Sequence, residues 1–148
     1  MRKRIIAHPV YVGPETVTQL EGMTWVFLAA DELAEKPAII DFLEAREIPF
    51  IDVGMGIEKH AAGLSGTIRV TASLPGQREQ ARSRIPAHDD RPGGEYGSNI
   101  QIADLNMLNA ALAVGRWKRA LGFYADHGGE WNSVYRLFTH EILNEGAE

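Results

Sequence analysis

The chain has 148 residues, 45% of them hydrophobic and 24% charged, which are the proportions of one globular domain with a sizeable core. A net charge of −5, with no basic cluster beyond Arg2–Arg4, argues against nucleic acid as the main partner. No apolar run of membrane-spanning length and no signal-peptide pattern is present, so we expect no membrane partner and a cytoplasmic location. The absence of cysteine excludes disulfides, thiolate zinc sites and a cysteine nucleophile from this chain.

The first residues predict an extended segment followed by one short helix. The run from Ile5 to Val12 is apolar but broken by Pro9. Pro14 suits the first turn of a helix, which predicts a short helix over Glu15–Glu21.

The central stretch predicts a βαβ unit. Strand Trp25–Ala30 is followed by a helix that begins near Lys36 and by a second strand, Pro49–Val53, which ends in a turn at Gly54-Met55-Gly56. Such units form parallel sheets, and ligands lie beyond the carboxyl ends of the strands. Any small-molecule site is therefore expected at this edge.

The pattern then changes to alternation. Apolar and polar residues alternate over 64–73, which predicts a half-buried antiparallel strand with a turn or bulge at Gly63 and Gly66. Residues 75–97 contain few apolar side chains and predict a mobile surface loop.

A long helix and a hairpin complete the predicted fold. Ser98–Leu121 begins with the capping-box pattern of Ser98 and Gln101 and ends before Gly122. Small and apolar residues on several of its sides predict burial within the domain or against a second copy. Two short strands are expected over 131–145. We predict a single α/β domain: a partial Rossmann-like parallel sheet, then antiparallel strands and one long buried helix.

Two charged residues near the predicted carboxyl edge each allow two interpretations. Asp31 follows the first strand, where a carboxylate can hold Mg²⁺, but an acid at this position also commonly caps a helix. Lys36 could neutralise a phosphate or carboxylate, or simply be solvated.

Asp52 and the neighbouring glycines are also ambiguous. A charge inside the strand FIDVG needs a partner, so Asp52 either accepts hydrogen bonds from backbone amides of a nearby turn, which we favour, or reaches the ligand edge. Gly54-x-Gly56 is a weak phosphate-loop signal, because no predicted helix follows it, and a tight turn is favoured. No histidine has a partner at metal-ligand spacing on a helix; His88-Asp89-Asp90 could bind a cation or form a solvated acidic loop.

The order of these motifs resembles the C-terminal half of the ThiF/MoeB/HesA adenylyltransferases, relatives of the ubiquitin-activating enzymes. The residues that carry the resemblance are VFLAAD ending at Asp31, Lys36 five residues on, IPFIDVGMG, LSGTIRVT and the long-helix sequence SNIQIADLNMLNAALAVGRWKRALGF. The bacterial members encoded beside ubiquitin-like proteins look most similar, and the similarity runs from about Ile5 to the end.

The resemblance implies a reaction and a set of ligands. Family members use Mg-ATP to activate the C-terminal carboxylate of a ubiquitin-like protein as an acyl-adenylate. By this resemblance, Asp31 would help hold Mg-ATP and bind its metal ion. From their positions at the same edge, we predict Lys36, Gly54 and Gly56 as further cofactor-binding residues. The segment matching Gly54–Thr71 would help form the surface for the tail of the ubiquitin-like partner, and the family implies a homodimer.

The family's glycine-rich nucleotide loop is missing, so the resemblance implies a fragment that is inactive alone and belongs to a longer parent enzyme. The alternatives are a non-catalytic protein-binding or dimerisation module and a small-nucleotide binder that uses Asp31 and the Gly54 turn. An incomplete sheet would expose an unpaired edge and apolar surface, which predicts self-association.

Overall fold

The computed structural model describes residues 5–30, 34–86 and 102–146. They form one five-stranded sheet, in the order β1-β2-β3-β4-β5, with helices packed on it. The strands are β1 (Val26–Leu28), β2 (Phe50–His60), β3 (Gly63–Ser73), β4 (Asn132–Arg136) and β5 (Glu141–Glu145). The helices are a short 3-10 turn at Val17–Leu20, then α1 (Lys36–Ala45), α2 (Arg78–Arg82) and α3 (Ala103–Ala120).

The predicted fold class is confirmed. β1 and β2 are parallel and joined through α1, whereas β2–β3, β3–β4 and β4–β5 are antiparallel. The predicted C-terminal hairpin is the β4–β5 pair. None of the helices in the described ranges is long and apolar enough to cross a bilayer.

Each face of the sheet carries its own core. Phe50 packs with the apolar residues of α1 and the 3-10 turn, whereas Ile51 packs with Ala113 of α3. Since successive side chains of a strand point to opposite faces, α1 and α3 cover opposite sides of the sheet. The sheet is therefore the middle layer of the domain.

The turn predicted at Gly54 and Gly56 is wrong, because β2 continues through both glycines. Gly54 pairs with Arg69 and Gly56 with Thr67, and the strands stay paired to His60 and Gly63. The direction change comes at Ala61 and Ala62, which join the paired residues His60 and Gly63, and Gly63 has a φ of 135°. β2 is long because β3 supplies a partner along its whole length.

β3 also departs from its predicted half-buried character. Its last residues are buried on both faces, with Thr71 and Ser73 as inaccessible as Val70 and Ala72. Part of the predicted loop 75–97 is ordered as α2, which buries Ala81 and is followed by buried Ile85. Residues 87–97 lie outside the described ranges.

The long helix is observed over Ala103–Ala120, and the predicted capping residues Ser98 and Gln101 lie outside the described ranges. Its buried residues all lie on the side that faces the sheet: Leu105, Asn109, Ala113 and Arg116. The opposite side of α3 is exposed in the single chain.

Gly66 allows the closest approach between strands. A Cβ atom there would lie 2.5 Å from Ile57 Cδ1 and 2.7 Å from the Gly56 carbonyl oxygen. The second neighbour is backbone and cannot rotate away. We expect Gly66→Ala to lower the free energy of unfolding, measured by urea denaturation, by about 1–3 kcal/mol.

Gly56→Ala is the matched control on the paired strand. Its Cβ would meet only Thr67 Oγ1, at 3.9 Å. Alanine also restricts the unfolded chain more than glycine, so stability should stay level or rise by about 0.5–1 kcal/mol. Equal losses in both variants would contradict the proposed steric role of Gly66.

Candidate functional site

A buried carboxylate lies between two cations at the carboxyl end of β1. Asp52 Oδ1 is 2.9 Å from Lys36 Nζ, and Asp52 Oδ2 accepts a hydrogen bond of 2.6 Å from Arg69 Nη2. The Asp52 side chain is 0% exposed, Lys36 4% and Arg69 15%. This ion-paired cluster joins the start of α1 to β2 and β3.

Local geometry explains why these three side chains meet. Asp52 lies beside Leu28 in the β1–β2 register and points to the α1 face, where Lys36 is the first residue of the helix. Arg69 lies opposite Gly54, where a Cβ atom would come within 3.0 Å of Arg69 Nη2. Gly54 therefore makes room for the guanidinium group.

The cluster continues as a row of polar side chains across the sheet. Asp52, Thr71, Asn132 and Glu145 are successive cross-strand partners in β2, β3, β4 and β5. Arg69 Nη1 donates to Thr71 Oγ1 at 2.6 Å, and the Thr71 hydroxyl donates to Asn132 Oδ1 at 2.8 Å. Asn132 Nδ2 in turn donates to Glu145 Oε2 at 3.0 Å.

Arg84 forms the outer end of the row. Its Nη2 and Nε donate to the two carboxylate oxygens of Glu145 at 2.6 and 2.9 Å. These hydrogen bonds lower the pKa of Glu145 below its usual value of 4.5 and raise the pKa of Arg84. The polar row thus runs from the buried Asp52 to an exposed ion pair after α2.

A second polar cluster lies on the opposite face and fastens α3. Arg116 donates to the Glu130 carbonyl oxygen and to Ser133 Oγ, and Arg119 pairs with the Glu130 carboxylate. Burial, and then the nearby charge of Arg119, lower the pKa of Arg116 to about 10. Asn109 Nδ2 adds a hydrogen bond of 3.1 Å to the Gly54 carbonyl oxygen. Hydrogen bonds and ion pairs, as well as apolar packing, therefore fix α3 on β2 and β4.

The predicted ligand residues fall into three groups. Asp31 and the His88-Asp89-Asp90 run lie outside the described ranges. Lys36 is not solvated, since it is paired with Asp52, and Asp52 meets side chains instead of the backbone amides we favoured. Gly54 and Gly56 lie in a strand ladder and so do not form a phosphate-binding loop.

Arg69, Thr71, Asn132 and Glu145 were missed by the sequence-based reasoning. One signal was available: a buried aspartate needs a cation, and Arg69 lies in the next predicted strand. Within the described ranges no group of His, Asp and Glu side chains is arranged to hold a metal ion.

The outer side of α3 and the segment after it form an exposed apolar surface, which we call the α3 outer face. Its large apolar members are Met107, Leu108, Val114, Leu121, Phe123 and Tyr124. Between them is a shallow depression of about 400 Å³, lined by Ala110, Ala111, Val114, Gly115, Lys118 and Tyr124. Lys118 Nζ lies over the rings of Phe123 and Tyr124, 5.0 and 5.5 Å from their centroids.

Comparisons with known proteins support the fold and no family. No family model matches the chain, and no curated protein matches it. One matching solved structure is the crystal structure of PaaA in its selenomethionine form, with a TM-score of 0.51 and 17% sequence identity. The match covers 96% of this chain and 47% of PaaA, so the chain spans about half the length of that protein.

These findings require a correction to the identification made from the sequence. The matching structure is that of PaaA, and neither a family model nor a curated protein supports a ThiF/MoeB/HesA adenylyltransferase. We therefore withdraw the adenylyltransferase assignment, together with activation of a ubiquitin-like protein and the inactive-fragment interpretation derived from it. Binding of ATP and Mg²⁺ stays an untested prediction, since Asp31 lies outside the described ranges.

Removing the carboxylate of Asp52 should be strongly destabilising. Asp52→Asn leaves Lys36 and Arg69 buried without a counter-charge, and breaking a buried ion pair in this way costs about 3–5 kcal/mol. The free energy of unfolding from urea denaturation is the measurement. The control is Asp41→Ala, which removes the exposed partner of Arg82 and should cost less than about 1 kcal/mol. Similar losses in the two variants would contradict a central role for Asp52.

The Glu145–Arg84 pair should contribute stability in a pH-dependent way. Because the folded-state pKa of Glu145 is lowered, its contribution is present above the usual value of 4.5 and is lost as pH falls through the folded pKa. We expect the stability difference between the wild type and Glu145→Gln to shrink on acidification below 4.5 in urea denaturation series. A difference that stays constant across that range would refute the assignment.

Proposed function

We propose that this domain is a protein-binding module whose binding surface is the α3 outer face. The observation that carries the proposal is the exposure of large apolar side chains on one side of one helix and just after it: Met107 is 69% exposed, Val114 42% and Phe123 70%. Single exposed apolar residues are ordinary, but a contiguous apolar patch marks an interaction surface.

The rigidity of α3 supports this function. Leu105 and Ala113 are buried against the sheet, and Asn109 and Arg116 are hydrogen-bonded to β2 and β4. The outer residues are therefore exposed on a helix that is already fixed. A partner could bind such a surface without first ordering it, which lowers the entropic cost of association.

The composition of the face also favours a protein partner. Methionine and aromatic residues are enriched in interface cores, whereas charged residues belong to the rim. Met107 and Tyr124 are of the first kind, and Asp104 and Lys118, in the first and last turns of the helix, are of the second. The aliphatic stem of Lys118 adds apolar area beside the depression.

Met107 provides a direct test of the proposal. In hydroxyl-radical footprinting, its oxidation should be several-fold slower for the chain in an extract of cells that produce it than for purified chain diluted until sedimentation shows only monomer. Burial by the partner is the physical reason. Met23, 46% exposed and located before β1, is the internal control and should react equally in both samples.

Val114→Asp places a charge in the middle of the proposed surface and should restore the oxidation rate of Met107 in the extract. Phe138→Asp, in the β4–β5 turn, is the matched control and should leave the protection intact. If Met107 reacts as fast in extract as in dilute solution, the α3 outer face does not bind a protein and the proposal fails.

A further inference from the structure

We propose that the partner of the α3 outer face is a second copy of this chain, with the two α3 helices antiparallel about a two-fold axis at Ala111. This inference rests on the proposed function and specifies its partner. It follows from the order of residues along the outer stripe of the helix.

The outer stripe has helical spacing along its whole length. Its members recur at intervals of three and four residues: Asp104, Met107, Leu108, Ala111, Val114, Gly115 and Lys118. Residues at these intervals lie on one side of an α-helix. The buried residues Leu105, Asn109 and Arg116 lie on the other side, so the stripe points directly away from the sheet.

The stripe is symmetric about Ala111. Counting outwards from that residue, Leu108 corresponds to Val114, Met107 to Gly115 and Asp104 to Lys118. In a two-fold interface, if residue i contacts residue j of the partner, then j also contacts i. An antiparallel pair centred on Ala111 therefore brings Leu108 to Val114, Met107 to Gly115 and Asp104 to Lys118, each contact occurring twice.

The sizes of the paired residues are complementary. A Cβ atom at Gly115 would have nothing within 4 Å, so the surface there is open. The long exposed side chain of Met107 can fill that space in the partner. At the axis, Ala111 meets its own copy, and a small residue there allows the two helix backbones to approach closely.

The charges select the antiparallel direction. Asp104 lies in the first turn of α3 and Lys118 in the last. An antiparallel pair places each carboxylate beside the partner's ammonium group, whereas a parallel pair would place like charges together. Opposed helix dipoles favour the same direction. Such rim charges determine orientation more than affinity.

The absence of cysteine allows a clean test by disulfide trapping in the full chain. A disulfide needs Cα atoms roughly 4.4–6.8 Å apart, which only residues near the axis of the pair can satisfy with their own copies. Under mild oxidation, Ala111→Cys should give a covalent dimer. Ala120→Cys, an exposed alanine on the same helix but off the stripe, is the matched control and should form no covalent dimer.

Charge exchange gives a second, non-covalent test. Asp104→Lys and Lys118→Asp should each weaken self-association several-fold in sedimentation equilibrium, because each places like charges opposite one another. An equimolar mixture of the two variants should recover association, since the lysines of one chain then meet the aspartates of the other. Circular dichroism and urea midpoints matching the wild type would establish that the variants fold.

The results separate this inference from the proposed function. If Met107 is protected in the extract but Ala111→Cys forms no more dimer than Ala120→Cys and mixing restores nothing, the two-fold pairing is overturned and the surface binds a different protein. If Met107 is unprotected, the binding surface itself is refuted. Trapping at Ala111 together with recovery on mixing supports both.

Discussion

The placement of Asp52 constrains much of the surrounding structure. Its carboxylate is fully buried in β2, and an ionised group in that position is tolerated only with charged or hydrogen-bonding partners. Lys36 at the start of α1 and Arg69 of β3 provide them, so one side chain fixes a helix and a neighbouring strand against β2. On folding, the Asp52 carboxylate loses its hydration and gains contacts with two cations. This exchange stabilises the domain only when Asp52, Lys36 and Arg69 are all in place.

The strand register follows from the same requirement. A shift of β3 by one residue would move Arg69 to the other face of the sheet and leave Asp52 short of a cation. It would also separate Asp52, Thr71 and Asn132, which now lie side by side in three strands. Gly54 permits this register, because any side chain opposite Arg69 would compete with its guanidinium group for space.

Local patterns in the sequence were enough to predict the βαβ unit, the long helix and the hairpin, because periodicity and turn residues act over a few positions. Local patterns do not predict which residues of different strands lie opposite one another. Gly54 was assigned to a turn since nothing local shows that β3 will pair with it, and Thr71 and Asn132, 61 residues apart, meet only through the register. Lys36 and Gly54 were predicted to bind a cofactor, which stays a prediction, and their observed contacts with Asp52 and Arg69 depend on that same long-range pairing.

The two sides of α3 differ in a way that folding alone does not explain. The inner side packs Leu105, Leu112 and Trp117 against the sheet and adds hydrogen bonds from Asn109 and Arg116. Met107 and Val114 project outwards, where they add nothing to the core of a single chain. Apolar area on a rigid helix lowers the free energy only when another surface removes it from water. Residues of the outer stripe at equal distances on either side of Ala111 are complementary in size or charge. The surface that matches the stripe best is therefore the same stripe of a second chain.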